Sequence, residues 1–179
     1  MRVIAGSARG TQLVTPEGQD TRPTTDKVRE AVYCSLQFRL RDARVLDLFA
    51  GSGAMGIEAL SRGAAHCTFI DKARSAINCV NANIKKCRLE STSTVLCTDS
   101  AAWLKTATGK FDIIILDPPY ASGIYESVMG VIKERKLLAE DGIVVLEHDG
   151  SIDIEGFEKV RDKRYGKIHV TMYESEKGL

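Results

Sequence analysis

The sequence predicts an α/β domain built on a mostly parallel sheet. From about residue 44 onward, short runs rich in β-branched residues alternate with segments of helical periodicity, the pattern of parallel strands joined by helices. The C-terminal tail differs, because apolar and polar residues alternate after a Tyr165-Gly166 turn, which predicts a hairpin. We therefore expect one antiparallel strand in an otherwise parallel sheet.

The individual elements follow from the same patterns. The predicted buried strands are residues 44–48, 66–70, 93–97, 111–116 and 142–146, and the tail hairpin lies within 157–173. The predicted connecting helices are residues 54–62, 73–87, 100–105 and 124–135. In the second of these helices, Ile77, Val80 and Ile84 share one face, which we expect to pack on the sheet.

A small extension is predicted ahead of this core. Residues 2–5 and 11–14 flank a turn, which indicates a hairpin, and a loop rich in Thr, Gly and Pro follows. A helix begins at Thr25-Asp26, because Thr caps a helix and an acidic residue suits its first turn. We interpret residues 1–179 as one domain, with the hairpin and loop at 1–21 and the core at 22–179.

Composition excludes several classes of protein. A hydrophobic fraction of 44% with 27% charged residues excludes disordered, collagen-like and disulfide-scaffold chains. The five cysteines are odd in number and lack a C-x-x-C pair, which predicts reduced thiols and no metal site. No apolar run approaches the length of a membrane span and no signal peptide is evident, so we expect a cytoplasmic protein that does not contact membranes.

The charge of the whole chain does not indicate a polyanionic partner, but its distribution along the sequence does. The net charge is only +1, but residues 1–44 carry eight Lys and Arg against five Asp and Glu. This excess favours localised phosphate contacts in the extension. The candidates are Arg2, Arg9, Arg22 and Lys27.

A glycine-rich loop joins the first predicted strand to a helix. Gly51, Gly53 and Gly56 form a G-x-G-x-x-G sequence, and Asp71 follows about 20 positions later, as in the dinucleotide-binding fingerprint. Taken alone, this pattern favours NAD. However, Asp47 stands at the end of the strand just before the loop, where a carboxylate can accept hydrogen bonds from an amino-acid ammonium group. Adenosylmethionine has such a group and NAD does not, so the acid favours adenosylmethionine.

Two further acids are candidates for contacting a nucleoside. Asp71 can bind a ribose diol through its two oxygens. Asp99, at the end of the third predicted strand, can accept from an adenine amino group or can simply cap the helix that follows.

The sequence Asp117-Pro118-Pro119-Tyr120 follows the apolar strand 111–116. The group therefore lies at the carboxyl edge of the sheet, where open α/β folds bind ligands. The prolines make the turn rigid and leave carbonyls pointing outward. An Asp carboxylate and a proline carbonyl can together accept both hydrogens of an aryl amine, which favours the transition state for attack by its nitrogen. Tyr120 offers a ring face for an extruded base.

Two other groups of candidate site residues can also be explained by a purely structural role. His148, after the fifth predicted strand, can line the same cleft, but a structural role is favoured. Residues 22–30 combine basic groups with a helix start, which suits a cofactor carboxylate, phosphates or plain solvent.

Several motifs together resemble the RsmD family of bacterial 16S ribosomal RNA guanine-N2 methyltransferases. They are Arg22-Pro-Thr-Thr-Asp-Lys-Val-Arg-Glu30, the stretch from Asp47 to Gly63, Asp117-Pro-Pro-Tyr120, Glu147-His148, the opening Met1 to Gly6 and the Tyr165-Gly166 hairpin. The resemblance implies a seven-stranded Rossmann-like class I methyltransferase fold, adenosylmethionine in the glycine-loop cleft, an extension that helps to hold RNA, and a bacterial source. It also implies that Arg22 and Thr24 lie by the methionine end of the cofactor.

The chain departs from this family at three places. Asp71 stands where Glu is common, Tyr120 replaces a frequent Phe, and the turn at residues 7–11 is less basic than the family leads us to expect. The last departure bears on the RNA contacts more than on the catalytic chemistry.

The predicted function is methyl transfer from adenosylmethionine to the exocyclic N2 of a guanine in 16S ribosomal RNA. The predicted catalytic residues are Asp117, Pro118 and Tyr120, and the predicted cofactor-binding residues are Arg22, Thr24, Asp47, Phe49, Gly51, Gly53, Asp71, Lys72, Asp99 and Ser100. We expect a monomer whose partner is 16S RNA or a partly assembled small subunit. The alternatives are an adenine-N6 methyltransferase acting on DNA or RNA, an NAD-dependent oxidoreductase and a non-catalytic RNA-binding module.

Overall fold

The computed structural model describes residues 1–16, 25–118, 124–150 and 152–176. Seven strands lie within these ranges: β1 (Arg44–Asp47), β2 (His66–Asp71), β3 (Ser93–Cys97), β4 (Phe111–Leu116), β5 (Leu138–His148), β6 (Phe157–Tyr165) and β7 (Ile168–Ser175). The helices are α1 (Asp26–Leu36), α2 (Ala54–Ser61), α3 (Arg74–Cys87), α4 (Ser100–Thr106) and α5 (Ile124–Glu134).

All seven strands form one sheet in the order β3-β2-β1-β4-β5-β7-β6. Strands β1 to β5 pair in parallel, whereas β7 is antiparallel to both of its neighbours, β5 and β6. The predicted mixed sheet with one antiparallel strand is therefore confirmed. The strand order reverses between β1 and β4, and such a switch point is where open α/β sheets bind ligands.

The predicted bounds agree with the structure to within two residues except at β5. Strands β3 and β4 have the predicted bounds, but β5 begins at Leu138 rather than at residue 142. The sequence pattern does not predict the first residues of β5, because their pairing with β4 is irregular. Phe111 pairs with Leu138, whereas Ile113 already pairs with Ile143, so the strand bulges before its regular part.

Each face of the sheet is covered by helices. Val45 on β1 and Ile113 on β4 belong to one buried cluster, which also contains residues of α1, α2 and α3. Their neighbours Leu46 and Ile114 point to the other face, where α5 and Leu104 of α4 cover them. This alternation follows from the period of two along a strand and explains why the parallel strands are apolar throughout.

The predicted N-terminal hairpin forms as a short pair of extended segments. Arg2 and Gln12 form an antiparallel bridge, and the Val3 amide donates to the Thr11 carbonyl at 3.0 Å. Its turn contains Gly6 at φ 85°, and a Cβ there would lie 1.7 Å from the Ser61 carbonyl oxygen of α2. Only glycine therefore allows the turn to lie this close to the helix.

Within the described ranges, no helix is long and apolar enough to cross a membrane. None of the five cysteines forms a disulfide. The same residues contain no cluster of His, Cys, Asp and Glu that could hold a metal ion.

Candidate active site

The carboxyl edge of the sheet brings together acids that are far apart in sequence. In spatial order, Asp99 follows β3, Asp71 ends β2, Asp47 ends β1 and Asp117 follows β4. Asp47 pairs with Phe69 and with Ile115, so Asp71 and Asp117 each lie two residues beyond it towards the carboxyl edge. Asp99 lies two residues beyond Cys97, the partner of Asp71. The four aspartates predicted from sequence therefore lie at the same edge of the sheet.

The glycine loop folds back over the end of β1. The Ala50 amide donates to the Ile70 carbonyl of β2 at 2.9 Å, and the Gly53 amide closes the turn on the Ala50 carbonyl at 2.7 Å. Gly51 and Gly53 have φ angles of 54° and 77°, in the left-handed region that glycine adopts without strain. A Cβ at Gly51 would meet no atom within 4 Å, so the loop borders open space there.

The Asp47 carboxyl lies beneath this loop and is only 2% exposed. Its Oδ2 accepts a hydrogen bond from the Gly56 amide at 3.0 Å. Burial raises the pKa of Asp47 to about 7, the charge of Asp71 adds to this rise, and the Gly56 hydrogen bond opposes it. No lysine or arginine of the described residues forms an ion pair with Asp47. An ammonium group entering the cleft would favour its ionised form.

Asp71 ties the glycine loop to the end of β2. Its Oδ2 accepts from the Gly51 amide at 2.9 Å, and its Oδ1 accepts from the Ala73 amide at 2.8 Å. A carboxylate offers about four lone-pair positions, so this half-buried group retains capacity for a diol. The same side chain can therefore order the loop and contact a ribose.

The side chains after β3 make local contacts. Asp99 is exposed and caps α4, with its Oδ1 accepting from the Ala102 amide at 2.9 Å, so the capping interpretation is confirmed. Ser100 is buried, and its hydroxyl donates to the Leu48 carbonyl at 2.6 Å, which joins α4 to the glycine loop. Lys72 is exposed at the end of β2, and Phe49 is partly buried against the cluster under α5.

Asp117 and Pro118 leave the end of β4 beside the end of β5. Leu116 pairs with Leu146, so Asp117 comes level with Glu147 on the neighbouring strand. Asp117 is half-buried and Pro118 is buried. The remaining predicted residues, Tyr120, Arg22 and Thr24, lie outside the described residues.

His148 ends β5 and is 1% exposed. Its Nε2 lies 2.7 Å from the Thr171 hydroxyl, which donates to Oδ1 of Asp162 at 3.0 Å, so Nε2 carries the proton in this pair. The ring also stacks on His169, with centroids 5.4 Å apart. Burial, followed by the charge of His169, lowers the pKa of His148, so these contacts describe a neutral structural histidine.

Asn83 of α3 is a site residue that the sequence interpretation missed. It is fully buried, and its Nδ2 donates to the Ser52 carbonyl of the glycine loop at 2.8 Å. The same nitrogen donates to the Val14 carbonyl at 2.9 Å, and Oδ1 accepts from the Val14 amide at 2.8 Å. The available signal was an asparagine between Val80 and Ile84 on the apolar face of this helix.

The comparisons with known proteins agree with this geometry. The family model described as Conserved hypothetical protein 95 matches residues 1–174. The putative rRNA methyltransferase YlbH of Bacillus subtilis is 39% identical, over 97% of this chain and 98% of the relative. Ribosomal RNA small subunit methyltransferase D of Escherichia coli strain K12 is 30% identical, over 98% of this chain and 90% of the relative.

Solved structures give the same result. A putative methyltransferase, yhhF from Escherichia coli, superposes with a TM-score of 0.90 at 31% identity, covering 98% of both chains. A putative methyltransferase complexed with SAH has a TM-score of 0.66 at 18% identity, covering 79% of this chain and 49% of the other, which shows a shared fold. The class I methyltransferase fold expected from the sequence is thus confirmed, and the chain belongs to the RsmD family of methyltransferases, described as Conserved hypothetical protein 95.

Proposed function

We propose that this protein transfers a methyl group from adenosylmethionine to the exocyclic N2 of a guanine in small-subunit ribosomal RNA. The relatives' names support ribosomal RNA methylation, and the RsmD resemblance of the sequence supports the guanine and its N2. One structural observation carries the choice of cofactor. A buried carboxyl at Asp47, without a cationic partner among the described residues, lies beneath a glycine loop at the switch point of the sheet.

The described residues fit adenosylmethionine. Asp47 would hold its ammonium group, and the pKa of about 7 means that this contact would draw the carboxyl into its ionised form. Gly51 and Gly53 let the backbone approach the ligand, and Asp71 would accept from the ribose hydroxyls. The second oxygen of Asp99 would take the adenine amino group. Phe49, Lys72 and Ser100 border the same cleft, and Arg22 and Thr24 complete the proposed set.

Bound adenosylmethionine supplies an electrophilic methyl group on its sulfonium. Asp117 accepts one hydrogen of the guanine amine and the Pro118 carbonyl accepts the other, which localises the nitrogen lone pair as it pyramidalises. The new N–C bond forms as the S–C bond breaks, and the amine becomes acidic only then. The Asp117 carboxylate or water takes the released proton. Tyr120 would stack on the extruded base.

The deciding experiment supplies methyl-labelled adenosylmethionine with naked small-subunit RNA, partly assembled small-subunit particles or duplex DNA. We expect the label on RNA, as N2-methylguanosine after digestion to nucleosides. Label on adenine N6 would exclude the guanine assignment but keep the amine chemistry, because the paired acceptors at Asp117 and Pro118 suit either base. Label on DNA alone would exclude the RNA substrate.

A variant of Asp117 separates chemistry from binding. Asp117→Ala should lower the rate of methyl transfer by roughly a hundredfold or more, because a charge-assisted acceptor acts mainly in the transition state. Cofactor affinity, measured by calorimetry, should stay within a few-fold. Asp141→Ala, an exposed aspartate at the opposite edge of the sheet, is the matched control and should change neither quantity. Equal loss of cofactor affinity in Asp117→Ala would contradict the catalytic role.

A further inference from the structure

The hairpin formed by β6 and β7 carries an excess of positive charge. Residues 157–167 contain five basic and two acidic side chains. Four of the basic residues are exposed and lie within five residues of the turn at Gly166-Lys167, and we call them the basic tip: Arg161, Lys163, Arg164 and Lys167.

The topology places the basic tip at the catalytic edge of the sheet. His148, at the carboxyl end of β5, pairs with His169 near the start of β7. Tyr165 and Ile168 pair one step further along, so the turn of the hairpin projects from the same edge as Asp117. Strand β6 is the third strand beyond β4 in the sheet order, which corresponds to about 14 Å between them. This distance suits nucleotides that flank a base held at Asp117.

Most of this charge has no ion-pair partner in the part of the chain that the structure describes. Arg161, Lys163 and Lys167 have no carboxylate partner among the described residues. The Nε of Arg164 donates to the Gly166 carbonyl at 2.7 Å, which leaves the rest of its guanidinium available. Lys159, further along β6, does have a partner, since its ammonium lies 2.6 Å from Asp153.

The distribution of the cations fits a backbone that wraps around the end of the sheet. Lys163 pairs with Val170 and shares the face covered by α1 to α3, whereas Arg164 pairs with His169 on the face covered by α5. Charged side chains on an edge strand, lysine especially, also discourage pairing with another sheet, a role that does not require a ligand. An excess of one sign beside the catalytic edge matches a polyanion.

We propose that the basic tip binds the phosphate backbone of the RNA that flanks the target guanine. The inference rests on the proposed function and adds a contact on the β5 side of the site, whereas the sequence indicated phosphate contacts only within residues 1–44. The tip positions RNA and takes no part in methyl transfer itself.

The test compares two triple alanine variants of equal charge loss. One removes Lys163, Arg164 and Lys167, and the matched control removes Arg41, Lys105 and Lys110, which are exposed at the opposite edge of the sheet. Affinity for naked small-subunit RNA is measured over a salt series, alongside cofactor affinity, thermal unfolding and steady-state methylation. Each lost phosphate contact should flatten the logarithmic salt dependence by about 0.7, so the tip variant should lose up to about 2.

The tip variant should also raise the KM for RNA at least roughly tenfold while leaving kcat and cofactor affinity within about twofold. An unchanged salt slope, or equal flattening in the control, would overturn the inference. Loss of affinity for particles but not for naked RNA would also overturn it, because the tip would then contact a protein. RNA binding is measured without turnover, so a wild-type protein that binds RNA through the tip but does not methylate it contradicts only the proposed function.

Discussion

The two hairpins of this protein are held in opposite ways. The N-terminal hairpin is fixed to α2 by buried polar groups, since the carboxylate of Glu58 accepts from the Ile4 and Ala5 amides at 2.8 and 3.0 Å. Glu58 is fully buried, as is Arg29, whose guanidinium donates to the Arg2 carbonyl. Strand β6 is exposed from residue 158 to residue 164 and is held mainly by its ladder with β7, to which Asp162 adds one contact by accepting from the Thr171 hydroxyl.

The N-terminal hairpin therefore mainly supports the fold, whereas the β6–β7 hairpin offers an exposed surface for binding. The Ser7 amide donates to the Ser61 carbonyl at the end of α2, so the N-terminal turn lies about 12 Å along the helix from the glycine loop. The β6–β7 turn projects instead from the carboxyl edge of the sheet, where Asp117 lies. The N-terminal hairpin, which the sequence predicts to contact RNA, is thus the more firmly fixed. The β6–β7 hairpin presents more positive charge beside the candidate site.

Glu58→Gln tests the fixed hairpin and should have the largest effect. The substitution removes a buried charge that faces Arg29 at 3.6 Å and Arg62 at 2.7 Å. Arg29 would then keep only the half-exposed Asp26 as a carboxylate partner, at 3.1 Å, so the substitution should lower the free energy of unfolding by roughly 3 kcal/mol, measured by urea denaturation. The tip triple variant serves as comparison and should lose less than about 0.5 kcal/mol, because its side chains are exposed. Similar losses in the two variants would remove the distinction between the hairpins.

The periodicity of the sequence predicted the helices and strands of the core well. It could not predict how the N-terminal hairpin packs against α2. The alternation of apolar runs with helical patterns depends on neighbours in sequence, so β3 and β4 were predicted with their observed bounds. The Glu58 contacts join residues more than 50 positions apart and leave no periodic trace. The aspartates of the cleft were predictable because each ends a recognisable strand. The hydrogen bonds of Asn83 depend on tertiary packing alone.

Asn83→Ala tests how the fixed hairpin supports the cofactor cleft. The amide side chain joins Val14 to Ser52 of the glycine loop through three hydrogen bonds. Its loss leaves part-buried backbone groups of Val14 and Ser52 without these partners and should cost roughly 1–3 kcal/mol of stability. Cofactor affinity should fall by about 5- to 10-fold, since part of that cost appears as disorder of the loop. Asn81→Ala, exposed on the same helix, should leave both calorimetric affinity and stability unchanged. An Asn83 variant that unfolds more easily yet binds the cofactor normally would contradict this coupling.

The two sides of the cleft should also differ in their response to pH. Burial raises the pKa of Asp47 to about 7, whereas burial lowers the pKa of His148. Because the folded pKa of Asp47 exceeds its unfolded value, its contribution to stability is complete below about pH 4 and is lost as pH rises through 7. Asp47→Asn should therefore become more stable than wild type as pH rises over this range.

Cofactor affinity should show the opposite trend, because an ammonium partner favours ionised Asp47. Affinity should rise with pH up to about 7 and then level off, with a proton released on binding below that pH. Calorimetry in buffers of different ionisation enthalpy measures the proton directly. Asp47→Asn should abolish the proton release, and His148→Gln should retain it. Persistent release in the Asp47 variant would assign the titration to another group.

The smallest expected effect belongs to the exposed arginines of the N-terminal hairpin. Arg2 and Arg9 are exposed, but their hairpin turn docks at the end of α2 that lies away from the glycine loop. If each contacts one phosphate, an Arg2→Ala/Arg9→Ala variant should flatten the salt dependence of RNA affinity by at most about 1.4, less than the tip triple variant. The measurement uses the same RNA and salt series for both variants, with cofactor affinity as the control for folding.

An unchanged salt slope would show that the N-terminal hairpin does not contact RNA, because its fixed position would then serve the fold alone. A flattening larger than that of the tip would reverse the comparison, because the RNA would then run along α2 rather than across the end of β5.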